Sequence, residues 1–230
     1  MQVSSPYDAI AGVYDEHWGH EFFPHAMEAF DRHAAPLLAP GAAVLDLCCG
    51  SGLFAGWLDD QGFTVTGVDL SGAMLATARR RAPRGTFVQA DMAAFTLPAR
   101  FDAAVCWFNS LNHAMSPRHL RAVLLNVAGH MTRGASFLFD YVLPRAYRRD
   151  WASTAMVEGA GRRRRIQFRY DPAARQAVCE TGEGVIVQQP FPPATIRRAA
   201  VAAGFDLLWE GPMEGAEPAG GRRLVLAVRG

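Results

Sequence analysis

Apolar and polar positions along this chain switch between two periods, and the switches mark out its elements. Over residues 6–37 the spacing is helical: Tyr7, Ile10, Val13 and Tyr14 share one face, then Phe22, Phe23, Met27 and Phe30 do so. Pro40-Gly41 breaks the chain, and the apolar run Ala43–Leu47 has the length of a buried strand. Residues 53–61 return to helical spacing and stop at Gly62, and Thr64–Val68 is a second strand. Ser71 stands where an N-cap opens a helix to about Arg81, closed by Ala82-Pro83. Thr86–Gln89, Ala103–Phe108 and Ser136–Val142 give three more strands, with a helix over about Pro117–His130 between the last two. This βαβαβ alternation predicts an α/β fold, a doubly wound, Rossmann-like and mostly parallel sheet with helices on both faces.

The pattern changes over residues 151–190. Short alternating segments (Ile166–Tyr170, Ala177–Glu180, Val185–Val187) are separated by Asp-Pro and Gly turns, which predicts a short antiparallel β insertion after the fifth strand. Pro192-Pro193 opens a last helix through Ala203, with Gly204 as its C-cap, and Phe205–Trp209 and Leu224–Val228 bring the sheet to seven strands. Residues 1–230 are expected to form a single domain, with 1–40 as a helical lid and 151–190 as the insertion over the substrate side.

Composition narrows the chemistry. A net charge of +1 asks for neither nucleic acid nor an acidic membrane. All 23 basic residues are arginine, which excludes a lysine Schiff base or lysine general base. Cys48, Cys49, Cys106 and Cys179 show no metal or redox spacing, and the first three fall in or beside buried strands, where thiols act as small hydrophobes. His17, His20, His25 and His33 make no HExxH-like set, so no metal is expected. No apolar span or signal segment stands out, and a cytoplasmic location is expected.

The chemistry concentrates at strand ends. Val44-Leu45-Asp46-Leu47-Cys48-Cys49-Gly50-Ser51-Gly52 runs from a strand through a Gly-x-Gly turn into an amphipathic segment. Gly50 and Gly52 allow a tight turn and close approach of a ligand. Asp46 places a carboxylate where a phosphate would be repelled. Asp69 and Asp91 stand at or beyond the next two strand ends, and in a doubly wound sheet such ends line one crevice. Asp69 lies at the distance in sequence from which an acid reaches ribose hydroxyls, Asp91 where it can accept from an adenine amino group, and Leu70 and Met92 where they can sandwich the ring. Gly50-x-Gly52-x-x-Ala55 also matches the dinucleotide fingerprint, so a nicotinamide oxidoreductase is the competing reading. The three acids suit a cationic, phosphate-free nucleoside better, which points to S-adenosylmethionine (SAM).

With VLDLCCGSG (44–52), VTGVDLSGAML (65–75), VQADM (88–92) and FDAAVCWFNSLNH (101–113), the chain resembles the class I SAM-dependent methyltransferases. Cys48 departs from the glycine often found there. The resemblance implies a seventh strand that runs antiparallel to the rest. It implies that Asp46 and Gly50 contact the methionyl part, Asp69 the ribose, and Asp91 with Met92 the adenine. The backbone around Trp107-Phe108 would hold the amino-acid end, with Cys48 and Gly52 completing the cofactor loop. S-adenosylhomocysteine (SAH) would be the product.

YDAIAGVYDEHWG (7–19) and CWFNSLNH (106–113) further resemble small-molecule N-methyltransferases that dimethylate the amino group of nucleotide-linked deoxysugars. In that group a tyrosine on the first helix and a histidine after the fourth strand approach the amine, which implies Tyr14 and His113 as the catalytic pair. Tyr7, Trp18, Asn109, Asn112 and Tyr141 are expected to line the acceptor side. Methyl transfer to an amine of a small secondary metabolite is the expected reaction, with a small-molecule O-methyltransferase as the alternative and a non-catalytic SAM-binding protein as a third reading. Arg162–Arg165 reads as a solvated strand face, with a clamp on an anionic substrate as its other reading. Neither nucleic acid nor membrane is an expected partner, and a homodimer is left open.

Overall fold

A computed structural model describes residues 5–8, 10–14, 19–159, 162–182, 184–213, 215–216 and 221–230. Among them a short helix α1 (Ala11–Tyr14) and a longer α2 (His20–His33) precede the sheet. Of the predicted helical stretch 6–37, the described residues 6–8 and 10 are turns rather than helix, and a 3-10 turn over Ala35–Leu37 ends it.

The central strands follow the apolar runs closely: β1 (Ala43–Leu47), β2 (Thr64–Asp69), β3 (Thr86–Gln89), β4 (Phe101–Cys106) and β5 (Met131–Val142). Between them lie α3 (Leu53–Asp60), α4 (Gly72–Arg81) and α5 (Pro117–Gly129). Two caps read from sequence chemistry are present. The Ser71 side chain accepts from the Met74 amide, and Ser116 accepts from His119 ahead of Pro117 in the first turn. After β5 come α6 (Pro144–Asp150), then β6 (Ala152–Gly159), β7 (Arg162–Asp171), β8 (Gln176–Glu180) and β9 (Val185–Gln188). Helix α7 (Pro193–Ala202), β10 (Phe205–Pro212) and β11 (Arg222–Arg229) finish the described chain.

The main sheet has the order β10-β11-β5-β4-β1-β2-β3. Strands β1 to β5 pair in parallel, and β11 runs antiparallel to both β5 and β10, so the last strand is the reversed one. The expected fold class is borne out. Parallel strands need both faces covered, and two apolar clusters do this. One packs Leu45, Phe137, Phe139 and Tyr141 against α5 and α7, and the other packs Val44, Val105, Leu138 and Leu224 against α2, α3 and α4.

The insertion is a four-stranded antiparallel sheet in the order β6-β7-β8-β9. Its inner residues Val157, Ile166, Cys179 and Ile186 pack on Ile10, so the insertion and the N-terminal segment cover each other. On β7, Arg163 and Arg165 are exposed, alternating with buried Ile166 and half-buried Phe168. No described helix is long and apolar enough to cross a membrane.

Candidate active site

Two cavities meet at the carboxyl ends of the parallel strands, where the order reverses between β1 and β4. The smaller, about 330 Å³, is walled by Cys48, Gly50, Asp69, Leu70, Asp91 and Met92. The larger, about 620 Å³, lies between the sheet and the insertion, with Phe22, Tyr147, Trp151, Phe168 and Ile186 among its walls. Tyr7, Tyr14 and Phe108 line both. A pocket of about 30 Å³, lined by Asp46, Trp107, Tyr14 and Phe108, adjoins them.

The glycine loop separates two roles that the sequence joins. Gly50 has φ +54 and an added Cβ would meet nothing within 4 Å, so its left-handed turn leaves open space toward the cavities. Gly52 has φ +78, but a Cβ there would stand 2.8 Å from Cα and Cβ of Ala78. It lines none of these cavities, and its lack of a side chain allows the close approach of α3 to α4. Cys48 also has φ +59, which is the physical reason glycine suits that position. Its Sγ lies 3.8 Å from Met92 Sδ.

Three carboxylates face this region. Asp69 accepts from the amides of Gly50 (2.9 Å) and Ser71 (2.8 Å), so it ties the loop after β1 to the start of α4 while lining the smaller cavity. Burial raises its pKa above the ordinary carboxylate value. Asp91 accepts from the Ala93 amide and faces His119 at 3.9 Å. Asp46 is 2% exposed, and one of its oxygens has no hydrogen-bond partner. Burial, with the nearby Asp69 charge second, pushes it up to about 8.

That orphaned acid provides a test of fit. A cation beside Asp46 would relieve both the desolvation and the repulsion, whereas a diphosphate would add to the repulsion. The smaller cavity is of the size usual for a small ligand and combines apolar walls with acids at its ends. Asp46 and Gly50 would hold the methionyl portion of SAM, with Asp46 toward its ammonium, Asp69 the ribose, and Leu70, Asp91 and Met92 the adenine.

At the junction, Phe108 (φ +59) and Asn109 (φ +51) form a left-handed turn after β4. Asp140 holds it by accepting from the Asn109 amide (2.9 Å), while Arg222 pairs with the same Asp140 oxygen and lies over the Phe22 and Phe108 rings. His113 ends the following 3-10 turn (Ser110–His113); its Nε2 is 3.0 Å from the Tyr7 hydroxyl and its Nδ1 is 3.2 Å from the Val187 carbonyl. Burial pushes the His113 pKa down to about 4, so its ring is neutral.

Tyr7, Tyr14, Phe108 and Asn109 are thus at the larger cavity, and His113 is at the smaller one. Trp107 borders the pocket around Asp46 with its indole N–H unpartnered. Trp18 lies outside the described residues. Two expected acceptor contacts are corrected. Tyr141 is fully buried on the far face of β5, with its hydroxyl donating to Glu210 at 2.7 Å. Asn112 is buried too, and its amide is occupied: it donates to the Gln189 carbonyl and accepts from the Val142 amide. Arg163–Arg165 line neither cavity. Sequence reasoning missed Asp140, Tyr147, Gln188 and Arg222, whose partners are dozens of residues away. Tyr147 donates to Gln188 at 2.6 Å, for example, and Asp140 pairs with Arg222.

An open α/β sheet with one reversed strand and an acid-lined cleft at its switch point defines a Rossmann-like methyltransferase fold. The sequence comparison agrees: residues 44–134 match the family described as a methyltransferase domain. The chain is 34% identical over 140 residues to a dTDP-3-amino-3,6-dideoxy-alpha-D-glucopyranose N,N-dimethyltransferase of Streptomyces fradiae, covering 57% of this chain and 55% of that protein. It is 29% identical over 158 residues to a dTDP-3-amino-3,4,6-trideoxy-alpha-D-glucopyranose N,N-dimethyltransferase of Streptomyces venezuelae, covering 66% of this chain and 65% of that one. These matches span less than two thirds of either relative's length. The crystal structure of Streptomyces venezuelae DesVI superposes with a TM-score of 0.79 at 25% identity, over 96% of this chain and 98% of that one.

Proposed function

We propose that this protein transfers a methyl group from SAM to the amino nitrogen of a small molecule of the amino-sugar type. The observation that carries the reading is the pair of cavities joined through Tyr7, Tyr14 and Phe108, with Asp46, one oxygen of which has no partner, in the small pocket adjoining them. The named activities of the two Streptomyces relatives support nitrogen and an amino sugar.

SAM supplies an electrophilic methyl on a sulfonium, open to in-line displacement. The residues of the chain orient and desolvate. Phe108, fixed by its left-handed turn and by Arg222, and Tyr14 against it (ring centroids 5.9 Å apart) form the collar through which the acceptor reaches the methyl. Such alignment is the main catalytic contribution such a transfer needs. A neutral amine carries its own lone pair, so a weakly basic His113 suffices. An alcohol would need a stronger base at that place.

Incubation with methyl-labelled SAM and a panel of amines and matched alcohols tests the proposal. Label in an amine product, with SAH formed in proportion, is expected. SAH binding without transfer to any amine would overturn the reading in favour of a non-catalytic SAM-binding protein, and transfer to alcohols alone would favour an O-methyltransferase.

A further inference from the structure

The larger cavity, about 620 Å³, has room for a drug-sized molecule rather than for one deoxysugar ring. Two rows of rings wall it. Tyr147, Trp151 and Phe168 run from α6 into the insertion, with centroids 4.9 and 5.2 Å apart. Phe22, Phe108 and Tyr14 run from α2 across the turn after β4 to α1, at 4.6 and 5.9 Å.

The charged groups of this wall oppose an anion. Arg222 is the one arginine among its described residues, and its guanidinium, 4% exposed, pairs with Asp140 and lies over Phe22 and Phe108. Its charge is thereby matched within the protein. The chain has no lysine, and the residues outside those described include no arginine. Glu21 and Asp150 add two carboxylates to the same wall. Arg149 holds Asp150 at 2.6 and 2.8 Å without lining the cavity itself, so that cation is matched too. Glu21 is exposed, and among the described residues no cation pairs with it; a protonated His25, four residues further along α2, would do no more than balance it. A diphosphate entering this cavity would give up water and meet carboxylates, with the one guanidinium of the wall already paired.

We propose that the acceptor is an amino sugar already joined to an aromatic aglycone and free of phosphate, and that the aglycone seats against Trp151 and Phe168. This rests on the N-methylation reading above. A flat ring among flat rings gains apolar burial and favourable ring contacts, and it asks for no counter-charge. Such a substrate is the product of a glycosyl transfer, so methylation at this site follows the loss of the nucleotide. Both Streptomyces relatives are named for dTDP-linked acceptors, and this chain would differ from them in the order of the two steps.

The test uses the full chain with SAM and two amines that share one sugar, dTDP-3-amino-3,6-dideoxy-α-D-glucopyranose and the 4-nitrophenyl glycoside of the same amino sugar. The aryl glycoside is expected to have a kcat/KM at least about tenfold higher, with the difference in KM. A smaller ratio, or one in favour of the nucleotide, would overturn the proposal. Trp151→Ala should raise KM for the aryl glycoside roughly tenfold with KM for SAM unchanged, and an unaltered aryl KM would sink the seat assigned to the aglycone. Should that variant not fold, Glu21→Arg, at an exposed position, probes the charge instead. It should tighten binding of the nucleotide amine roughly fivefold and leave the aryl glycoside within about twofold, and no gain for the nucleotide would count against the proposal. If neither amine is methylated, the N-methylation reading fails separately. Calorimetric titration of both amines into SAH-loaded protein then still decides: at least about tenfold tighter binding of the aryl glycoside is expected, and any smaller preference overturns the proposal.

Discussion

Replacing each loop glycine by alanine separates folding from ligand binding. Both Gly50 and Gly52 adopt left-handed φ, and a side chain there costs about 1–2 kcal/mol, less about 0.4–1 kcal/mol from the lower entropy of the unfolded chain. At Gly50 nothing further is added, since the new Cβ meets no atom within 4 Å. At Gly52 the Cβ would stand 2.8 Å from Cα and Cβ of Ala78, a buried residue of α4 that cannot swing aside. Overpacking of that kind adds about 1–3 kcal/mol. Gly52→Ala is therefore expected to destabilise by about 1–4.6 kcal/mol, and Gly50→Ala by about 1.6 kcal/mol or less. In a domain of this size the first lowers Tm by about 2–18 °C and the second by at most about 6 °C. Calorimetric titration with SAH should give the opposite ranking: roughly tenfold weaker binding for Gly50→Ala, where the methyl enters the ligand space, and near wild-type affinity for folded Gly52→Ala. Equal loss of stability in the two variants, or a larger loss of SAH affinity in Gly52→Ala, would refute the division of labour.

Asp46 makes the unliganded protein pH-sensitive. Its folded pKa of about 8 lies above the unfolded value of 3.8, so between about pH 4 and 8 the folded chain keeps a proton the unfolded chain has lost. Stability should fall with rising pH across that window, by up to about 1.4 kcal/mol per unit, and Asp46→Asn should flatten the slope in denaturant titrations. SAH binding near pH 7 should release a proton, read from calorimetry in buffers of different ionisation enthalpy, and proton uptake would contradict this. Asp140→Asn replaces the buried carboxylate of the Asp140–Arg222 pair by a neutral amide and is expected to cost about 3–5 kcal/mol; a loss under 1 kcal/mol would show the pair to be dispensable. Tyr141→Phe removes one hydrogen bond to Glu210 and should cost about 1 kcal/mol with acceptor KM unchanged, whereas a raised KM would return Tyr141 to the site.

The donor side was legible because its residues lie close together in sequence. Asp46, Gly50 and Asp69 each follow from a strand end and a turn, and parallel pairing of β1 with β2 sets those ends side by side. Tyr141 was misread for a reason of parity. Strand β5 is buried on both faces from Ala135 to Val142, so no polar residue other than Ser136 and Asp140 marks which face a side chain takes. A one-residue step decides it: Asp140 faces the cleft and Tyr141 faces α7. Helix α6, Pro144–Asp150, escaped notice because three arginines and an aspartate in seven residues leave no apolar period. Arg222 was invisible for another reason, since its partner is 82 residues away and only sheet pairing of β5 with β11 joins them.

Three carboxylates that the fold buries near the cleft are compensated in three ways, and the differences locate the ligand's charge. Asp69 takes two backbone amides, which stabilise its charged form without any cation. Asp140 takes a full guanidinium from Arg222 and an amide from Asn109, and its charge is spent on holding the Phe108–Asn109 turn. Asp46 has neither: among the described residues no cation pairs with it, one of its oxygens lacks a partner, as one of Asp140 does, and its neighbour Asp69 repels it. Proteins rarely keep such a group in a core, because replacing it by an apolar residue would relieve the cost. Its retention beside an open turn makes sense when the missing charge arrives with the ligand. The same reasoning explains why the acceptor side shows no comparable deficit. A neutral amine brings no charge, and the positive charge that appears on nitrogen exists only as the methyl moves. A buried carboxylate there would hold the amine as an unreactive ammonium.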